Sequence, residues 1–245
     1  MGLREACVDL RDGMVRELGY LTGRFDLPRG LFQTVRGHSM CSIQRLDNMY
    51  RLAKSVEEKG LAGAVVECGV WKGGCSGVAA VVVRDHGYKR RLHLFDSFEG
   101  LPEPGAEDGT AAAAYSDGRS GGQLKTTGKC IGTQEEVQQL LFGKLGIDRS
   151  KVSFHVGWFQ ETLPKDHDGV GPIALLRLDG DWYESTKVCL KYLYPQVVSG
   201  GYVILDDYGT WAGCRKAFEE YRTAEKLGAL VLVRIDHTGV YYVKP

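Results

Sequence analysis

The chain of 245 residues divides in two by the spacing of its apolar positions. In the first part that spacing is helical. Leu3, Cys7, Leu10, Met14, Val15 and Leu18 predict a helix over 3–20. Residues 21–40 hold Gly, Pro and isolated apolar residues, which reads as loop. A second helix is predicted over 42–59. It opens at Ser42 and sets Ile43, Leu46, Met49, Tyr50, Ala53 and Val56 on one face. From residue 63 onward short apolar runs alternate with helical stretches. The runs 63–68, 91–95, 152–156, 172–178, 201–205, 229–234 and 240–243 predict strands, with helices near 75–86, 133–145, 159–163, 183–194 and 211–226. Fully apolar strands that alternate with helices imply an α/β fold whose parallel sheet is covered on both faces. Asp236-His237-Thr238-Gly239 reads as a hairpin turn, so the last of seven strands runs antiparallel. Residues 103–132 fit neither pattern: they contain Pro104, four alanines at 111–114 and a Gly- and Ser-rich stretch. An insertion of that length in a compact domain reads as a lid. The whole is one domain, with an N-terminal helical extension (1–60) and a core (61–245) that carries the insertion.

Composition narrows the partners. The 31 basic and 31 acidic side chains cancel, which argues against nucleic acid, since its binders carry a basic excess. The N-terminus has no apolar segment of signal-peptide type, and no run reaches the roughly 18 residues of a membrane span. The seven cysteines are scattered and odd in number, the usage of reduced thiols in a cytoplasmic protein. Glycine is in excess, at 33 residues, so its positions carry information.

One glycine group follows the first predicted strand: Glu67-Cys68-Gly69-Val70-Trp71-Lys72-Gly73. Ligands of doubly wound sheets bind at the carboxyl ends of the strands, where glycines let backbone approach closely. Glu67-x-Gly69-x-x-x-Gly73 resembles motif I of class I S-adenosylmethionine-dependent methyltransferases, whose turn passes the methionine part of the cofactor. Asp96 ends the second strand, where a carboxylate can accept two hydrogen bonds from ribose hydroxyls; helix capping is the simpler alternative. Asp179 and Asp181 follow the fourth strand, and Asp206 and Asp207 the fifth. Four carboxylates at neighbouring strand ends repel unless neutralised. A hard divalent cation such as Mg²⁺ suits them, with Asp179, Asp206 and Asp207 as ligands. Asp181, close to the metal without binding it, then suits a general base that takes the proton of an acceptor hydroxyl. His38 is a rival base, whereas His93 and His155 fall within strands and read as core or edge residues.

VVECGVWKGG, LHLFDSFEGLPEP, VGWFQETLP, LLRLDGDWYEST and GGYVILDDYGTWAGCRKAFEEY together resemble the macrocin O-methyltransferase family, metal-dependent sugar O-methyltransferases of antibiotic biosynthesis. The resemblance implies a class I Rossmann-like sheet of seven strands, S-adenosyl-L-methionine and Mg²⁺. It implies an acceptor hydroxyl on the deoxysugar of a glycosylated natural product, and a homo-oligomer. It places Glu67, Gly69 and Gly73 at the cofactor's amino acid end, and Asp96, Ser97 and Phe98 at the ribose. Gly157, Trp158 and Phe159 fall near the adenine, with Tyr183 and Trp211 toward the acceptor. The insertion and the first 40 residues match weakly, so the transfer chemistry is better supported than the acceptor. Three other readings compete. A catechol or phenol O-methyltransferase shares the fold and chemistry. A non-catalytic S-adenosylmethionine-binding module would leave the acidic cluster without a purpose. A haloacid dehalogenase-type phosphatase shares Asp179-x-Asp181, but has Thr or Val where Tyr183 stands and carries its motif on the first strand of its domain.

Overall fold

The computed structural model describes residues 19, 20 and 22–245, so the predicted helix over 3–20 falls almost wholly outside the described residues. The seven predicted strands form one sheet: β1 (Ala64–Cys68), β2 (Leu92–Asp96), β3 (Val152–Val156), β4 (Ile173–Leu178), β5 (Val197–Leu205), β6 (Val233–Arg234) and β7 (Val240–Val243). Their order is β3-β2-β1-β4-β5-β7-β6. The chain steps outward from β1 to β3 and then crosses back to set β4 against β1. This reversal opens a crevice beyond the carboxyl ends of β1 and β4. β1 to β5 pair in parallel, and β7 is antiparallel to both β5 and β6, as the hairpin turn implies.

Alternation along each strand divides the core in two. Val65, Leu94, Leu175 and Ile204 face one side. There they meet α1 (Arg29–Val35), α2 (Ile43–Glu58) and α3 (Gly74–Asp85). Val66, Phe95, Leu176, Val203 and Leu205 face the other. There they meet α6 (Phe159–Asp166), α7 (Tyr183–Leu193) and α8 (Ala212–Ala224). Ser42 caps α2 as expected, accepting the Arg45 N–H at 3.2 Å. Among the described residues no helix is long and apolar enough to cross a membrane, and Cys41, Cys68, Cys75, Cys130, Cys189 and Cys214 are free thiols.

The differences from expectation are local. The loop predicted over 21–40 contains α1, which buries Phe32 and Val35. A helix of seven residues is too short to show a period. The insertion is folded around α4 (Gly109–Tyr115), made largely of the four alanines. Alanine has the highest helix propensity but leaves no amphipathic stripe to read. Ala112 is buried against Leu101 and Trp182. Asp108 seats the helix by accepting the Gly105 N–H at 2.8 Å and the Tyr183 N–H at 2.6 Å. The helix predicted over 133–145 is α5 (Gln134–Gln138), continued by a π-helical turn over Gln139–Lys144. β5 begins four residues earlier than predicted, and β6 keeps only two residues of the run 229–234.

His93 is buried within the sheet and His155 half-buried beside it. His93 Nδ1 lies 3.0 Å from His155 Nε2, and His155 Nδ1 lies 2.9 Å from Asp166 on α6. Burial, then His155, lowers the His93 pKa to about 4. The unfolded chain therefore binds a proton that the fold refuses between that value and the ordinary value of about 6.5. Stability present above about pH 6.5 is expected to fall as the pH drops through this window. In His93→Gln that decline should be shallower, measured by urea unfolding at a series of pH values.

Candidate active site

The site is framed by backbone. The Asp179 N–H donates to Cys68 O at 2.8 Å, and the Gly69 N–H to Phe95 O at 2.9 Å, so the chain leaves β1 pressed between β2 and β4. Gly69 has φ +88°, and a Cβ there would lie 1.8 Å from the Asp179 carbonyl oxygen. Only glycine fits. Gly73, with φ +86°, then caps α3. Asp96 holds this turn. Its Oδ2 accepts the Val70 and Trp71 N–H groups at 2.6 and 3.0 Å, and its Oδ1 the Phe98 N–H at 2.7 Å.

Beyond the turn opens a cavity of about 320 Å³. Among the described residues, Glu67, Asp96, Asp179, Asp181, Asp206 and Asp207 line it together with two guanidiniums, Arg45 and Arg177. Arg177 sits in β4 and is 2% exposed. Its Nη1 reaches Glu67 Oε1 at 2.7 Å, and its Nη2 reaches Asp179 at 2.8 Å and Asp206 at 2.7 Å. The same nitrogen donates to Cys41 Sγ at 3.0 Å. Arg45, from α2, pairs with the other oxygen of Asp206 and, at 3.1 Å, with Asp236. Burial opposes the Arg177 charge, but Asp179 and Asp206 outweigh it and keep the guanidinium firmly protonated. Glu67, also bonded by the Ser76 hydroxyl, is pushed up to about 7 by burial even though Arg177 opposes the shift.

Among the described residues Asp181 and Asp207 have no guanidinium or ammonium partner of this kind. Ligand oxygens of Asp179, Asp181 and Asp207 lie within 4.8 Å of one another, as do ligand atoms of Cys41, Asp179 and Asp206. Asp181 adopts φ +57°, a left-handed conformation that Asp tolerates better than most residues. Its N–H donates to Asp207 Oδ2 at 3.1 Å, and its Oδ1 accepts the Trp211 indole N–H at 2.8 Å. Burial and then Asp179 push the Asp181 carboxyl up to about 7. Burial, then Asp181 and Asp179, raise Asp207 well above the carboxylate range.

Of the residues singled out by sequence, Glu67, Gly69, Asp96, Ser97, Trp158, Phe159, Asp179, Asp181, Asp206, Asp207 and Trp211 line the cavity. Gly73, Phe98 and Gly157 do not line it, and Phe98 packs against the core. Asp206 and Asp207 fall into separate groups, Asp206 with Cys41 and Asp179, and Asp207 with Asp179 and Asp181. Tyr183 does not face the cavity: its hydroxyl donates to Glu220 on α8. His38 stands on the wall within 2.9 Å of Lys144 Nζ, whereas His93 and His155 do not line the cavity. Sequence reasoning passed over Arg177, although its signal was present. A charge inside the apolar run of a central strand has to be paired. Arg45, Cys41 and Tyr115 gave no such signal.

Removing the guanidinium in Arg177→Met would leave Glu67, Asp179 and Asp206 buried against one another. A loss of about 3–5 kcal/mol of unfolding free energy is expected, as for breaking a buried ion pair from one side. Urea denaturation at neutral pH measures it.

Comparison with known proteins agrees with this geometry. The family model Macrocin-O-methyltransferase (TylF) matches residues 26–244. The chain is 38% identical over 206 residues to 8-demethyl-8-(2,3-dimethoxy-alpha-L-rhamnosyl)-tetracenomycin-C 4'-O-methyltransferase of Streptomyces olivaceus, covering 84% of this chain and 75% of that one. It is 37% identical, with the same coverage, to demethyldecarbamoylnovobiocin O-methyltransferase of Streptomyces niveus. The O-methyltransferase NovP superposes with a TM-score of 0.73 at 35% identity, over 84% of this chain and 82% of that one. The calicheamicin methyltransferase CalS11 shares the fold, with a TM-score of 0.66 at 20% identity over 93% and 90% of the two chains. A glycine turn at the end of β1, an acid at the end of β2 and a match over nearly the whole described chain lead to one conclusion: the protein belongs to the macrocin O-methyltransferase family and is an S-adenosylmethionine-dependent O-methyltransferase.

Proposed function

We propose that the chain transfers the methyl group of S-adenosylmethionine to a hydroxyl on the deoxysugar of a glycosylated natural product. In this reading Asp179, Asp206 and Asp207 hold Mg²⁺ and Asp181 is the general base. The relatives named for rhamnosyl-tetracenomycin and novobiocin precursors support the acceptor class. The observation that carries the chemistry is the imbalance of charge around one cavity, where six carboxyl groups face two guanidiniums.

The donor set fits a hard cation. All the cavity acids offer oxygen, the ligand Mg²⁺ prefers. Both oxygens of Asp206 are paired with guanidiniums, Oδ1 with Arg177 at 2.7 Å and Oδ2 with Arg45, so Asp206 would exchange or share one of these partners with the cation. Asp179 belongs to both acidic groups and links Asp206 to Asp207. A bound cation would supply the positive charge that makes an alkyl hydroxyl more acidic.

The chain's own residues do the rest. The turn at Gly69 admits the cofactor's amino acid end beside Glu67. Asp96 Oδ1 keeps one acceptor position for a ribose hydroxyl, since the turn already uses three of the four lone pairs of its carboxylate. The acceptor hydroxyl lies over the ends of β4 and β5, where Asp181 Oδ2 takes its proton as the oxygen attacks the methyl carbon in line with the departing sulfur. The products are the methyl ether, S-adenosylhomocysteine and the proton held on Asp181.

Chelation is expected to abolish transfer and Mg²⁺ to restore it. Asp179→Ala should lose transfer yet still bind S-adenosylhomocysteine in isothermal titration. Asp181→Asn should lower turnover by at least about 100-fold, within the usual contribution of a general base, while keeping its metal affinity. Loss of that affinity would make Asp181 a ligand instead, and transfer surviving full chelation would remove the metal from the scheme.

A further inference from the structure

We propose that Trp211 serves the acceptor in two ways: its indole N–H fixes Asp181, and its ring, together with that of Tyr115, forms an aromatic shelf for the C–H face of a pyranose. This rests on the sugar O-methyltransferase reading and names the surface that reading lacks.

Trp211 stands between β5 and α8, and its backbone N–H donates to Asp207 O at 2.9 Å. Its indole N–H donates to Asp181 Oδ1 at 2.8 Å. A half-buried indole needs a hydrogen-bond acceptor, and any carbonyl would serve. Here the acceptor is the acid expected to move the proton. One oxygen is thereby occupied and the other is left to face the cavity. Trp211 is thus a positioning residue for Asp181.

The ring has a second neighbour. Tyr115, the last residue of α4, lies 5.5 Å from Trp211 with the rings inclined at 57°, and 43% of it is exposed. Behind Trp211 stands Trp182, 4.9 Å away edge to face, buried and tied by its N–H to Pro102 O at 2.9 Å. Trp182 thus backs the shelf, and the Lys129 ammonium lies 5.9 Å from the Tyr115 ring centroid. Asp108 holds α4 in place through the Tyr183 N–H, so the insertion delivers Tyr115 to the same cavity that Asp181 lines. Aromatic faces carry partial negative charge, and the ring hydrogens of a pyranose carry partial positive charge. A sugar laid on this shelf turns its hydroxyls edgewise, one of them toward Asp181. The cofactor end of the cavity, at β1 and β2, is left clear.

Binding of methyl α-L-rhamnopyranoside to the enzyme loaded with S-adenosylhomocysteine, followed by NMR titration, tests the shelf, and methyl transfer to the same sugar tests the positioning. Tyr115→Ala and Trp211→Ala should each weaken sugar binding by roughly tenfold, the range of a lost aromatic contact. Trp211→Phe keeps a ring and loses the N–H. It should hold sugar affinity within about threefold while kcat falls by roughly tenfold or more, the signature of an interaction made in the transition state. Equal losses of affinity in Trp211→Phe and Trp211→Ala would overturn the shelf at Trp211, and undiminished kcat in Trp211→Phe would overturn the positioning role. Wild-type affinity in Tyr115→Ala and Trp211→Ala would overturn the shelf while leaving the sugar reading intact. A wild-type enzyme that ignores the sugar and methylates a catechol would overturn both.

Discussion

A guanidinium buried in the middle of a parallel sheet organises this site. Removing Arg177 from water costs several kcal/mol, and only close, multiple partners offset that cost. The sheet order supplies them. β1 brings Glu67, β4 brings Asp179 and β5 brings Asp206, each within 2.8 Å of the same side chain. Arg45 completes the arrangement from α2 and ties Asp206 to the C-terminal turn through Asp236. Three strand ends, an N-terminal helix and the last hairpin are thus joined by charge, and the crevice at the β1–β4 reversal has a fixed floor.

That neutralisation is one-sided. Arg177 and Arg45 pair with Glu67, Asp179 and Asp206 and leave Asp181 and Asp207 crowded against Asp179. The burial that raises Glu67 and Asp181 alike is offset at Glu67 by Arg177, whereas at Asp181 a neighbouring acid adds to it. The cavity therefore has two electrostatic halves. One is a settled pocket beside the glycine turn, suited to the charged amino acid end of a cofactor. The other is an unsettled acidic edge over β4 and β5, open to the insertion and its aromatic ring. In the proposed reaction a methyl donor on the first half would face a hydroxyl on the second.

Much of this was legible before any coordinates. Apolar runs such as Val203–Leu205 have one reading in a chain that alternates them with helices, and the acid doublets that follow β4 and β5 sit where a doubly wound sheet binds ligands. The sequence was silent wherever the information is tertiary or too short to be periodic. Seven residues of α1 show no period, and an alanine helix has no apolar stripe. The lone pairs that Asp96 spends on its own turn depend on a backbone path set by Gly69. Tyr183 looked like an acceptor residue until α8 placed Glu220 against its hydroxyl. The need of Arg177 for partners was derivable in advance, because a charge inside an apolar central strand has to be paired.

The central claim is that the surplus of carboxylates exists to hold a cation among Asp179, Asp206 and Asp207 while Asp181 stays free to take a proton. Anomalous scattering from crystals grown with Mn²⁺ and S-adenosylhomocysteine tests it most directly. The account predicts a single anomalous peak bounded by oxygens of Asp179, Asp206 and Asp207, with the Trp211–Asp181 hydrogen bond intact. No peak in the cavity, or a peak bounded by Asp181 in place of Asp206, would contradict it.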